Sequence, residues 1–108
     1  MEELQACGED VWLCEEAGEL VGAVGVEDAG EALLIARLMV HPDAMRRGVG
    51  TALVQRVLAR ADGRAVHAGT AAANAPALAL YERLGFRWVG ERSVGPGLAY
   101  VDLVRDAA

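Results

Sequence analysis

Lysine is missing from this chain: its ten positive charges are all arginines, set against sixteen aspartates and glutamates. Any positive cluster is therefore built from planar, permanently charged guanidinium forks of the kind that suit phosphate. The net charge of −6 also removes the broad basic field that a general nucleic-acid binder presents. Cysteine is scarce, with only Cys7 and Cys14, and two such residues beside ample apolar material read as thiols rather than as a disulfide framework. No apolar run approaches the roughly 20 residues that cross a bilayer, and the opening MEELQACGED is acidic where a signal peptide is basic. The expectation is a cytoplasmic protein with neither a membrane nor a nucleic-acid partner. Two nucleotide-binding patterns are missing too. There is no Gly-x-x-x-x-Gly-Lys-Ser/Thr loop, and the pair Gly48 and Gly50 lacks the third glycine of a dinucleotide-binding turn. No metal site is expected.

What remains is a chain of 108 residues, 54% hydrophobic and 24% charged, which reads as one globular domain over 1–108 with a single core. Val11 to Glu15 and Leu20 to Val26 form a predicted hairpin around Gly18, and Ala32 to Val40 (ALLIARLMV) is a central strand stopped by His41 and Pro42. From Gly48 the apolar positions Leu53, Val54, Val57, Leu58 and Ala61 keep helical spacing. A short strand near Arg64 to Gly69 follows. A second helix runs from Ala75 to Leu84, with Asn74 as its N-cap, Pro76 in its first turn and Gly85 just past its end. Arg87 to Val94 and Leu98 to Val104 complete the order as two more strands. The fold class is a mixed α/β (α+β) sheet with helices packed on it.

Two stretches carry chemistry. In HPDAMRRGVGTAL, residues 41–53, a strand ends, turns through two glycines and enters a helix whose first N–H groups have no partner within the helix. Such an end draws anions, and Arg46 and Arg47 add donors, so a pyrophosphate suits it. The same residues would equally make a tight turn with solvated arginines. In NAPALALYERLGF, residues 74–86, Ala77, Leu80, Tyr81 and Leu84 share one stripe, which by itself suits a core tyrosine better than a functional one.

Taken together, the two stretches resemble the GNAT superfamily of N-acetyltransferases. The strand and loop LMVHPDAMRRGVGTAL is similar to the family's Val-x-Pro step followed by Gln/Arg-x-x-Gly-x-Gly/Ala. Asn74, Ala77, Leu80, Tyr81, Glu82, Leu84, Gly85 and Phe86 match its later signature at every specified place. The resemblance runs from about Val11 to Val104 and implies a mostly antiparallel sheet with a V-shaped splay between its central strands. It implies acetyl-CoA as acyl donor, with the backbone of Leu38, Met39 and Val40 on pantetheine amides. The turn of Arg46, Arg47, Gly48, Val49, Gly50 and Thr51 would lie on the pyrophosphate, with Asn74 on the cofactor. Tyr81 would be the general acid that protonates the leaving thiolate.

The chain departs from the family pattern at three places. Met45 stands where the loop motif has Gln or Arg, and Gly69 stands where relatives that acetylate protein N-termini often carry a glutamate base. Glu27, Glu31, Glu91, His67 or a water chain are the remaining bases, and Arg37 is a charge inside an otherwise apolar strand. Only MEELQACGED precedes the hairpin, so the expected fold lacks the family's usual N-terminal strand and two helices. The acceptor site is then open, built for a long substrate or completed by a second subunit, and the homodimer is the first expectation. The implied function is acetyl transfer to the primary amine of a small molecule or peptide. The other reading is a non-catalytic acetyl-CoA-binding or regulatory module.

Overall fold

The strand and helix periods fold much as they read. The structure, a computed structural model, describes residues 2–6, 9–45 and 47–107, with side chains from residue 11 onward. Arg46 and Cys7, and with Cys7 any pairing to Cys14, lie outside the described residues. Seven described strands, β1 (Glu2–Ala6), β2 (Glu9–Glu16), β3 (Glu19–Asp28), β4 (Ala32–Val40), β5 (Ala65–Ala71), β6 (Arg87–Gly95) and β7 (Leu98–Arg105), make one sheet in the order β1-β2-β3-β4-β5-β7-β6. Two helices, α1 (Val49–Ala61) and α2 (Ala75–Arg83), accompany it, and Pro42–Ala44 form one 3-10 turn ahead of α1. None of the described helices is long and apolar enough to cross a membrane.

One expectation is corrected. A strand does precede the hairpin: β1 pairs antiparallel with β2, from Glu2 opposite Leu13 to Ala6 opposite Glu9. Its sequence EELQA lacks the β-branched alternation that marks a strand, and an edge position needs only backbone pairing on one side. No helix stands between β1 and β2 among the described residues.

The feature that organises the molecule is where the sheet parts. β4 and β5 are parallel and pair only at Ala32 with Ala65, Leu33 with Val66 and Leu34 with His67. Beyond that seam β4 stays bonded to β3 as far as Val40 opposite Gly22, and β5 stays bonded to β7 as far as Ala71 opposite Tyr100. Each keeps one unpaired edge facing the other across the gap, the V-shaped splay that the resemblance implied.

Helix α1 bridges the gap. Val49, Leu53, Val54, Val57 and Ala61 form its buried stripe, and with Leu33, Val66, Val101 and Leu103 they build the core. The helix lies so close to β3 that a Cβ on Gly22 would sit 2.7 Å from Val49 Cγ1 and 3.0 Å from Leu53 Cδ1. Its far end is clasped by Arg64, which donates to the carbonyls of Ala61 (2.9 Å) and Arg60 (3.2 Å) and to Asp28 Oδ1 (3.0 Å). Both ends of α1 are thus fixed to the sheet, and its first turn is delivered to the mouth of the splay.

Helix α2 is closed at both ends by its own sequence. Asn74 Oδ1 accepts from the Ala77 N–H at 3.3 Å. At the other end Gly85 takes φ +93°, the Phe86 N–H returns to the Tyr81 carbonyl at 3.0 Å, and the Gly85 N–H returns to the Glu82 carbonyl at 3.1 Å. This is a Schellman ending, and its hydrophobic contact is the Tyr81 ring against Phe86, centroids 5.0 Å apart.

Candidate functional site

A cavity of about 810 Å³ opens where the sheet splays. Leu38, Met39 and Val40 of β4 line one wall, Met45 and Gly48 of the loop and Gly50 and Thr51 of α1 line the end, and Asn74, Pro76, Ala77, Ala79, Leu80 and Arg83 of α2 line the other wall. Of the residues singled out in the sequence, Leu38, Met39, Val40, Gly48, Gly50, Thr51 and Asn74 are brought together here. Their chemistry is mostly that of backbone and small side chains.

The cradle at the start of α1 is bare by construction. Gly48 caps the helix in the left-handed region at φ +79°, and among the described residues no side chain caps the first turn. The leading N–H groups are therefore left for a ligand, and the helix dipole adds about half a positive charge there. Gly50 also sets how closely the elements pack, because a Cβ at this position would stand 3.1 Å from Leu80 Cδ2 and 3.5 Å from Val40 Cγ2. Its missing side chain draws the start of α1 against both walls. The Val49 side chain is buried in the core, so this residue can offer the cradle only its backbone.

The two loop arginines are not equivalent. Arg46 lies outside the described residues. Arg47 does not line the cavity; its Nη2 meets Glu16 Oε1, in the β2–β3 hairpin, at 2.8 Å. Arg83, which the sequence motifs do not single out, does line the cavity. Nothing in the sequence marked it, since it reads as one more arginine on the exposed side of α2.

Tyr81 is 2% exposed and is not on the cavity wall. Burial pushes its hydroxyl up to about 12 from the ordinary 10.0, so the group holds its proton throughout the neutral range. Below pH 10 the tyrosine is neutral folded or unfolded; between about 10 and 12 the unfolded chain ionises first, and stability falls as pH rises. Over that interval wild type is expected to lose roughly 2–3 kcal/mol more than Tyr81→Phe in urea unfolding. The chain has no lysine to confuse that window. Equal losses would mean that the folded protein ionises this group as freely as the unfolded one.

The Gly69 position is already occupied from next door. Gly69 pairs with Asp102 across β5 and β7, and a Cβ on Gly69 would stand 3.3 Å from Asp102 Oδ1 and 4.0 Å from Arg92 Nη2. Arg92 Nε donates to Asp102 Oδ2 at 3.1 Å, and its guanidinium lies 5.6 Å from the centre of the Tyr100 ring. A neutralised ion pair therefore covers the strand at this point. Glu27, Glu31, His67 and Glu91 are exposed and none of them lines the cavity, nor does Arg37, which is exposed beside the irregular pairing of β3 with β4.

Comparison with known proteins gives this arrangement its family. The acetyltransferase (GNAT) domain matches residues 7–88. The chain is 36% identical over 88 residues to the UPF0157 protein YqkA of Bacillus subtilis, covering 81% of this chain and 26% of that one. It is 36% identical over 78 residues to the peptidyl-lysine N-acetyltransferase YiaC of Escherichia coli, covering 72% and 50%. The chain thus spans half or less of the length of the curated relatives it matches. Among solved structures, a GNAT family acetyltransferase from Elizabethkingia anophelis with acetyl-CoA bound superposes with a TM-score of 0.80 at 18% identity, over 93% of this chain and 77% of the other. With the splayed sheet, the uncapped glycine turn and the match over most of its length, this chain belongs to the GNAT acetyltransferase family.

Proposed function

We propose that this chain is an acetyl-CoA-dependent N-acetyltransferase, moving an acetyl group to a primary amine by direct attack. The observation that carries this reading is the splay: two strands with facing unpaired edges open onto a helix start that no described side chain caps. Acetyl-CoA, the family's acyl donor, supplies an activated thioester. The N–H groups at Gly48–Thr51 hold the pyrophosphate, and the free edge of β4 at Leu38–Val40 pairs with the amides of the pantetheine arm. Asn74 commits its Oδ1 to the helix cap and keeps its amide N–H groups for the ligand. These contacts fix an acyl group in one place, and positioning is the larger part of catalysis by direct attack.

Tyr81 is the residue assigned the departing proton. Its raised pKa guarantees a proton to give, and the transfer is matched in energy only where the thiolate is as poorly solvated as the tyrosine. Tyr81→Phe is expected to lower kcat by about a hundredfold and to leave the acetyl-CoA dissociation constant unchanged. Thiol release in the presence of a panel of small cationic amines and a lysine peptide measures the first, and calorimetry the second. An unaltered kcat would leave Tyr81 as the packing partner of Phe86 and nothing more.

Two observations favour a second reading, a non-catalytic acetyl-CoA-binding or regulatory module: Tyr81 does not reach the cavity wall, and the carboxylate nearest Gly69 is tied to Arg92. Tight acetyl-CoA binding with no thiol release across the amine panel would establish it. The acceptor is a small-molecule or peptide amine, drawn towards an acidic chain. A cytoplasmic homodimer goes with the first reading, since Leu34 on β4 is exposed and a second copy would cover it while completing the acceptor wall.

A further inference from the structure

Arg83 is a charge without an evident structural role. It lines the cavity, and among the described residues it makes no ion pair or hydrogen bond, although the chain carries sixteen acidic residues. Its neighbour Glu82 is committed, accepting from Trp88 Nε1 at 3.1 Å. Arg83 is not needed to finish the helix either. The Tyr81 and Glu82 carbonyls are met by the N–H groups of Phe86 and Gly85, and the Leu84 carbonyl by Arg105 Nε at 3.0 Å.

Its place along the cavity is informative. The wall of α2 runs from Asn74 at the N-cap, past Leu80, where Gly50 approaches within contact distance, to Arg83 in the last turn. An extended ligand whose pyrophosphate rests at Gly48–Thr51 and whose arm reaches back to Asn74 has its nucleoside end on the side of Arg83. Pro76 and Ala79, which share that wall, are too short to obstruct it. Coenzyme A carries at this end a ribose 3′-phosphate, a dianion that a guanidinium fork recognises through paired N–H donors.

We propose that Arg83 seats the 3′-phosphate of coenzyme A and makes the protein prefer coenzyme A to its 3′-dephospho form. The proposal rests on the reading of the cavity as an acetyl-CoA site. Its test is calorimetric titration of the intact protein and of Arg83→Gln with coenzyme A and with 3′-dephospho-coenzyme A, after melting curves show both proteins folded. Wild type is expected to bind coenzyme A at least about tenfold more tightly than the dephospho form. Arg83→Gln binds the two alike, with the dephospho affinity unchanged. Equal binding of both ligands by wild type overturns the proposal and leaves the cofactor reading standing. A loss of the same size for both ligands in Arg83→Gln also overturns it, because the arginine would then grip the shared pyrophosphate. If folded wild type binds neither ligand, the cofactor reading falls and takes the proposal with it.

Discussion

Gly48→Glu is expected to weaken acetyl-CoA binding by at least about a hundredfold, a loss near 2.7 kcal/mol. Two effects combine. Gly48 has φ +79°, where any residue with a Cβ is strained by about 1 kcal/mol, and the new carboxylate would enter the cradle proposed for a pyrophosphate. Room is not the difficulty, since a Cβ there meets nothing within 4 Å. Gly48→Ala is therefore the matching control: it carries the strain without the charge, and calorimetry on both separates the two contributions. If the glutamate and alanine variants both bind like wild type, the helix start does not hold the anion.

The second large effect is on stability. Gly22→Ala places a Cβ 2.7 Å from Val49 Cγ1, 3.0 Å from Leu53 Cδ1 and 3.2 Å from the Met39 carbonyl oxygen. Valine is stiff about its one side-chain torsion, and the oxygen belongs to a bonded strand, so the helix itself must move. A loss of about 2–3 kcal/mol in urea unfolding is expected, at the upper end of overpacking lesions. The shift would begin at the first turn of α1, so ligand affinity should fall in the same variant. A variant as stable as wild type would show that α1 rides on β3 more loosely than these distances state.

Most of the architecture was legible because its signals are local. The run ALLIARLMV became β4 with both ends where the sequence placed them, and Asn74, Pro76 and Gly85 bounded α2 through contacts within a few residues of one another. β1 was not legible: EELQA pairs at an edge, where the partner strand supplies the specification and the side chains supply little. The cavity's glycines and Asn74 were legible for the same local reason. What the sequence hid were encounters between distant segments. Glu16 of the β2–β3 hairpin meets Arg47, and Asp102 covers Gly69 from the neighbouring strand. Arg83 was passed over because an arginine on an exposed helix face looks the same in sequence whether or not a cavity lies in front of it.

The short parallel seam between β4 and β5 has a consequence for how the protein keeps itself apart from others. Beyond Leu34 and His67 the sheet possesses two raw borders in its own middle, each offering a ladder of donors and acceptors to any extended chain that wanders in. Most proteins blunt such borders with charge or proline at the rim. On the reading proposed above, the cofactor's arm of amides laid along the free edge of β4 would act as a fastener, closing that border to intruders. Supply of that guest would then govern resistance to unfolding and to clumping through one and the same contact.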